Sequence, residues 1–102
     1  MNIEMVAMEI ILYSGNSRSE AFQALKFAKE GKFEEAQESL KLAKEEALKA
    51  HKVQTNLIQE EARGNKAEIG LLLVHAQDHL MTSMLAKDLI EEMIDLYKNK
   101  NN

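Results

Sequence analysis

The sequence contains no cysteine, no proline and no tryptophan, and only 4 of its 102 residues are glycine. Without cysteine, the chain can form no disulfide, no thiolate metal site and no thiol nucleophile. Without proline and with so few glycines, helices can run for long distances, because these two residues are the strongest helix breakers. Alanine, leucine, glutamate and lysine, which favour helices, are abundant. We therefore expect an all-α protein.

The sequence also lacks the features of membrane and nucleic-acid-binding proteins. No uncharged run reaches the roughly 18 residues that a transmembrane helix needs, and no basic leader precedes a cleavage site. The formal net charge of -4 gives no electrostatic reason to bind nucleic acid or an anionic membrane. We expect a cytoplasmic protein that forms one domain over residues 1–102, without membrane insertion or nucleic-acid binding.

Turn signals occur at two places, residues 30–32 and 63–66, and each contains a glycine where a helix C-terminus favours one. They divide the chain into three segments of similar length. Short turns between long helices make neighbouring helices antiparallel, which predicts an up-down-up three-helix bundle. Gly15 and Asn16 could interrupt the first segment, but the apolar pattern keeps its phase across them, which favours one helix.

Apolar residues at helical spacing predict the packing face of each segment. The pattern in segment one comprises Ile3, Ala7, Ile10, Ser14, Ser17, Ala21, Ala24 and Ala28. The pattern in segment two comprises Phe33, Ala36, Leu40, Ala43, Ala47, Ala50, Gln54 and Leu57. Segment three, predicted from about Lys66 to Lys98, has a first stripe of Leu72, His75, His79, Thr82, Ala86, Leu89, Met93 and Leu96. Its second stripe comprises Leu71, Val74, Asp78, Met81 and Leu85.

A three-helix bundle buries only one broad face of each helix, so the second apolar stripe of segment three would remain exposed in a single protomer. Self-association about a symmetry axis is the simplest way to bury it. If it faced the axis, copies of Asp78 would meet, and a proton or a cation would be needed among the carboxylates. Oxygen ligands favour magnesium or calcium-like ions. Alternatively, Asp78 pairs with a lysine or a histidine at a rim.

His75 and His79 lie one helical turn apart, which allows three interpretations. A zinc hydrolase site is disfavoured, because Ala76 stands where the metalloprotease pattern requires glutamate and no third ligand is evident. Two buried structural histidines could be satisfied by Gln54 or Thr82. In the third interpretation, a neutral imidazole uses its lone pair to accept a phosphoryl group.

Residues 74–83, Val-His-Ala-Gln-Asp-His-Leu-Met-Thr-Ser, resemble the signature of a known family. This family is the enzyme IIA component of the lactose/cellobiose class of the bacterial sugar phosphotransferase system. Residues 14–19 and 50–55 resemble the first and second helices of the same family, so the resemblance covers essentially the whole chain.

The resemblance implies a three-helix protomer that assembles into a homotrimer, effectively a nine-helix bundle. It implies that His75 forms a phosphohistidine, accepting the phosphoryl group from the phosphocarrier protein HPr. The group then passes to a cysteine of the IIB component, which serves the IIC membrane permease. Asp78 would bind a structural metal ion, Mg²⁺, with its symmetry mates on the trimer axis.

Gln77 and His79 are candidates to support the His75 imidazole or the phosphoryl oxygens, with Gln54 as a weaker one. The amino-acid sequence of the motif, Val-His-Ala-Gln-Asp-His, resembles cellobiose or chitobiose members more than lactose members. Two alternatives are a non-catalytic helical interaction module with structural histidines and a histidine-phosphotransfer domain of two-component signalling. The latter usually exposes a single histidine, whereas this pair lies among apolar stripes.

Overall fold

The computed structural model describes residues 2–66 and 68–100 and contains three α-helices over that range, with no strand. Helix α1 spans Ile3–Lys29, α2 spans Phe33–Ala62 and α3 spans Leu71–Lys100. The all-α prediction and both predicted turns are confirmed, and α1 continues through Gly15 and Asn16 as one helix. Helix α3 begins later than predicted, since residues 65–66 and 68–70 are not helical.

Local chemistry explains the helix ends. The Asn2 side chain caps α1 by accepting a hydrogen bond of 3.2 Å from the backbone amide of Met5. Gly31 and Gly64, which follow α1 and α2, have φ angles of 77° and 94°. Side chains rarely allow this left-handed backbone conformation, so glycine is the residue suited to ending each helix there.

Two apolar clusters define how the helices run. One cluster joins the end of α1 and the start of α2 to the end of α3, and its members include Ala28, Ala36 and Ile94. The other joins the start of α1 and the end of α2 to the start of α3, including Ala7 and Leu57. Helix α2 is therefore antiparallel to both of the others, and α1 and α3 are parallel. This confirms the up-down-up bundle, which measures 54 × 19 × 17 Å.

The predicted packing faces of α1 and α2 are confirmed. All predicted positions of α1 from Ala7 to Ala28 are buried, and those of α2 are buried except Phe33 and Gln54, which are half-buried. The middle of the α1 face is formed by small side chains, and Ser17 Oγ donates a hydrogen bond of 2.8 Å to the carbonyl oxygen of Ala43. Small side chains allow α2 and α3 to approach α1 closely.

The predicted packing faces of α3 are wrong within the protomer. Neither stripe lies in the core, since Leu72 of the first is 38% exposed and Leu85 of the second is 59% exposed. The buried residues of α3 form a third face: Leu73, Ala76, Leu80, Ser83, Ile90 and Ile94. Helix α3 is apolar on most sides, so periodicity alone did not select a face. Small residues such as Ala76 and Ser83 fit against the small-residue face of α1.

Apolar side chains therefore remain on the surface of the protomer. Over half of the surface of each of Leu71, Val74, Met81 and Leu85 on α3 is exposed, and the same holds for Met5, Met8, Leu12 and Phe22 on α1. Scattered exposed leucines are ordinary, but rows of them on adjacent helices are typical of an interaction surface. In the described part of the chain, none of the three helices combines the length and hydropathy needed to cross a membrane.

Candidate functional site

The two histidines of α3 form a stacked pair on the surface of the bundle. Their ring centroids lie 6.0 Å apart and the ring planes differ by 9°. Four residues on a helix turn through about 400°, so the two side chains point in nearly the same direction. His75 is exposed and His79 is half-buried. The predicted shared face is confirmed, and His75 is exposed to solvent in the protomer.

The interpretation of the pair as buried and satisfied by Gln54 or Thr82 does not fit the protomer. Gln54 Nε2 donates a hydrogen bond to Gln77 Oε1 instead. Thr82 Oγ1 donates to the carbonyl oxygens of Asp78 and His79 in its own helix, at 2.9 and 3.2 Å. The polar groups that could satisfy buried imidazoles therefore bond to other partners.

His79 lies against helix α1 at Gly15. A Cβ atom placed on Gly15 would be 3.5 Å from His79 Nε2, an ordinary van der Waals contact. The edge of the imidazole therefore packs against the α1 backbone at a position that carries no side chain. Sequence reasoning treated Gly15 only as a possible helix break and missed this contact. The sequence did contain one indication of this contact. A glycine that lies mid-helix without interrupting the apolar spacing can mark a close approach by another group.

The surroundings of His79 favour its neutral form. Partial burial is the main cause that lowers the pKa of His79, and the positive charges of Arg18 and His75 lower it further. The carboxylate of Asp78 acts in the opposite direction but does not reverse the shift. At neutral pH the ring therefore has one nitrogen that donates a hydrogen bond and one that accepts.

Gln77 lies on a different side of α3 from His75. Two residues correspond to about 200° around a helix, and the Gln77 amide meets Gln54 on α2. This amide pair connects α3 to α2 beside the turn that carries the histidines. Of the two predicted supporting residues, His79 therefore lies next to His75, whereas Gln77 points away from it toward Gln54.

Asp78 is exposed and lies in the apolar stripe between Val74 and Met81. The four ion pairs of residues 2–66 and 68–100 are Lys44–Glu91, Lys49–Glu46, Arg63–Glu60 and Lys87–Asp88. The predicted rim pairing of Asp78 with a lysine or a histidine is therefore not formed within one protomer. Over the same residues, no three candidate metal ligands come together. A single protomer thus offers one carboxylate, and a metal site there would require further copies of the chain.

Comparison with known proteins identifies the family to which this chain belongs. A family model described as PTS system, lactose/cellobiose-specific IIA subunit, matches residues 5–98. The chain belongs to this IIA family. The resemblance inferred from residues 74–83 is therefore confirmed.

Individual IIA proteins are similar over nearly their whole length. The lichenan-specific phosphotransferase enzyme IIA component of Bacillus subtilis is 52% identical over 96 residues, covering 94% of this chain and 87% of the relative. The crystal structure of the cellobiose-specific enzyme IIA of Bacillus anthracis is 52% identical with a TM-score of 0.95, covering 99% and 93% of the two chains. A solution structure of the Escherichia coli IIA(chitobiose)–HPr complex is 44% identical with a TM-score of 0.86, covering 100% and 99%.

Proposed function

We propose that the chain is a phosphocarrier of a bacterial sugar phosphotransferase system. In this proposal His75 accepts a phosphoryl group from HPr and passes it to a cysteine of the cognate IIB component. The observation that carries the proposal is the exposed His75 ring, stacked on His79, in a member of the IIA family. The solved complex of a IIA relative with HPr supports HPr as the donor.

The transfer requires one bond to form and one to break. The lone pair of a neutral His75 nitrogen forms the new P–N bond, while the P–N bond of the HPr phosphohistidine breaks. The electron pair of the broken bond stays on the donor ring, and the proton on the other nitrogen of each ring remains in place. The reaction then needs mainly in-line positioning and stabilisation of the phosphoryl charge, both of which a docking surface can provide.

Within this mechanism, His79 and Gln77 have different roles. His79 is stacked beside the nucleophile and is free to hydrogen-bond a phosphoryl oxygen through a ring N–H. We assign Gln77 a positioning role, because its amide bond to Gln54 connects α3 to α2 next to the histidine turn. Leu72, an exposed apolar residue of the first α3 stripe near His75, would help to exclude water from the phosphohistidine when a partner docks.

We further propose that the protomer forms a homotrimer, with the exposed apolar stripe of α3 near the axis. The support is the row of exposed side chains at Leu71, Val74, Met81 and Leu85. Three copies of Asp78 would then converge, and oxygen donors of this kind suit Mg²⁺. The role of the ion in this proposal is structural, since it would neutralise carboxylates that otherwise repel one another.

The transported sugar is proposed to be a β-glucoside-type disaccharide, with cellobiose or chitobiose favoured over lactose. The lichenan-specific and cellobiose-specific proteins described above are both 52% identical to this chain. The proposed place of action is the cytoplasm, where IIB receives the phosphoryl group and hands it to the IIC-bound sugar. Growth of a deletion strain on cellobiose, chitobiose and lactose separates these substrates.

The deciding experiment is phosphorylation by phospho-HPr, followed by intact-protein mass spectrometry. The wild-type chain should gain the mass of one phosphoryl group, and His75→Gln should gain none. His51→Gln is the matched control, since it removes an exposed histidine of α2 and should leave the gain intact. A chain that stays unmodified would be a non-catalytic interaction module, and phosphorylation of His75→Gln would move the acceptor to another residue.

A further inference from the structure

Arg18 occupies a distinctive position beside the histidine pair. It lies three residues after Gly15 on α1, and residues at this spacing are neighbours on one helix face. Gly15 is the point at which α1 touches the His79 imidazole, with 3.5 Å between a Cβ placed there and Nε2. The positive charge of Arg18 also acts on that ring, where it helps to lower the pKa of His79.

Arg18 is the only lysine or arginine in the stretches of α1 and α3 that carry Gly15 and the histidine pair. Between residues 3 and 25 of α1 the sequence contains no other permanent cation, and α3 contains none between residues 71 and 86. Arg18 is exposed. None of the ion pairs found in the part of the chain that the structure describes includes it. Its guanidinium group therefore has no carboxylate partner to give up before it can bind another anion.

The anion that this surface would hold is the phosphoryl group, which carries up to two negative charges. Stacked imidazoles can donate single hydrogen bonds but provide little positive charge at neutral pH. A guanidinium group provides both a permanent charge and a planar set of donors that matches phosphate oxygens. The site therefore places one cation of suitable chemistry beside His79, whose ring is stacked on that of the proposed acceptor His75.

We propose that Arg18 binds the phosphoryl oxygens when the group is carried by His75. This inference rests on the proposed function and adds to it a residue from α1 that the motif on α3 does not contain. The guanidinium N–H groups donate to the phosphoryl oxygens during transfer, while the bond changes remain those between the donor ring, phosphorus and His75. Arg18 thus stabilises the negative charge of the phosphoryl group in the transition state of transfer and in the resulting phosphohistidine.

The test compares Arg18→Gln and Arg18→Lys with the wild-type chain in transfer from phospho-HPr. Lys26→Gln is the matched control, because it removes the same charge from an exposed position of α1. Loss of a charged hydrogen-bond donor should lower the saturating transfer rate of Arg18→Gln on the order of ten-fold or more. Arg18→Lys should recover part of the rate, and Lys26→Gln should match the wild type. Circular dichroism confirms that the variants are folded.

A second readout separates contact with phosphate from general attraction of HPr. In a ³¹P NMR titration, the phosphoryl pKa should be higher in Arg18→Gln than in the wild type, since a nearby cation favours the dianion. If Arg18→Gln changes only the phospho-HPr concentration at half-saturation, Arg18 serves docking and the proposal is wrong. The same conclusion follows if Arg18→Gln behaves like Lys26→Gln. Absence of phosphate uptake by the wild type would instead overturn the proposed function itself.

Discussion

At the scale of single residues, the site depends on which side chains a helix brings to one face. The four-residue spacing of His75 and His79 predicted their shared direction, and the stacked rings confirm it. The contact of His79 with Gly15 could not be predicted, because it depends on the axial register between α1 and α3. Periodicity within one helix contains no information about that register.

Gly15 offers a residue-scale prediction. Gly15→Ala should transfer phosphate normally and should raise the free energy of unfolding by about 0.5–1 kcal/mol, since alanine favours a helix interior. Its methyl group would make only ordinary contact with the imidazole. Gly15→Leu should displace His79 and slow transfer from phospho-HPr. Urea denaturation and transfer rates measure both effects. Equal rates for the leucine variant and the wild type would show that the position of His79 does not matter.

Glu46 on α2 provides a pH-dependent link to α1. Its carboxylate contacts Lys49 Nζ at 3.0 Å and accepts a hydrogen bond of 3.0 Å from Asn16 Nδ2. The hydrogen bond from Lys49, which has the largest influence, and the hydrogen bond from Asn16 hold the pKa of Glu46 below its ordinary value. Because the folded-state pKa is lowered, the stabilisation is present above the unfolded-state pKa and is lost as the pH falls through the folded-state value.

Glu46→Gln should therefore unfold at a lower urea concentration than the wild type at pH 7. The difference should shrink as the pH falls below the unfolded-state pKa of about 4.3 and should vanish below the folded-state pKa, where both states bind the proton. Glu45→Gln is a suitable control, since Glu45 is an exposed neighbour on the same helix. A difference that does not change with pH would mean that the carboxylate charge plays no part.

At the scale of whole helices, α1 and α2 could be predicted from the sequence, but the orientation of α3 could not. Each of the first two has one seam of small and apolar residues that keeps its helical spacing along the whole helix. Helix α3 has apolar residues such as Leu71, Leu72 and Leu73 in successive directions, so its sequence allows several packing faces. The choice is made by the small side chains of α1, which accept Ala76, Leu80 and Ser83.

The corrected face of α3 leads to a stability prediction. Leu80 is fully buried, with 0% of its surface exposed, whereas Leu48 on α2 is 70% exposed. Leu80→Ala should lower the free energy of unfolding by about 2–5 kcal/mol, because it removes buried methyl groups and leaves a cavity. Leu48→Ala should have little effect. Urea denaturation followed by circular dichroism compares the two, and equal losses would contradict the packing described for α3.

At the scale of the whole molecule, the candidate site residues are separate from the residues that stabilise the fold. Both apolar clusters lie inside the protomer, while His75 and Asp78 lie on its surface. The sequence predicted a second apolar surface and associated it with self-assembly. The structure enlarges that surface, because both predicted stripes of α3 lie outside the core.

The proposed assembly can be tested by sedimentation equilibrium. The wild-type chain should sediment as a trimer, and Leu85→Glu, which places a charge in the α3 stripe, should shift it toward monomer. Leu48→Glu is the control at an exposed leucine of α2. Asp78→Leu should remain trimeric but should lose any change in trimer stability with added magnesium or a chelator. A wild-type chain that sediments as a monomer would overturn the assembly.

The separation of the histidine face from both apolar clusters has an evolutionary consequence. A duplicated copy of this chain could lose His75 and keep every buried contact that stabilises the bundle. Selection for folding alone would not remove such a copy, and it would still present the docking surface to the donor protein. On the proposed function, it would then bind the donor protein competitively without accepting the phosphoryl group. On the same proposal, one substitution at His75 would thus turn an intact paralogue into an inhibitor of sugar uptake.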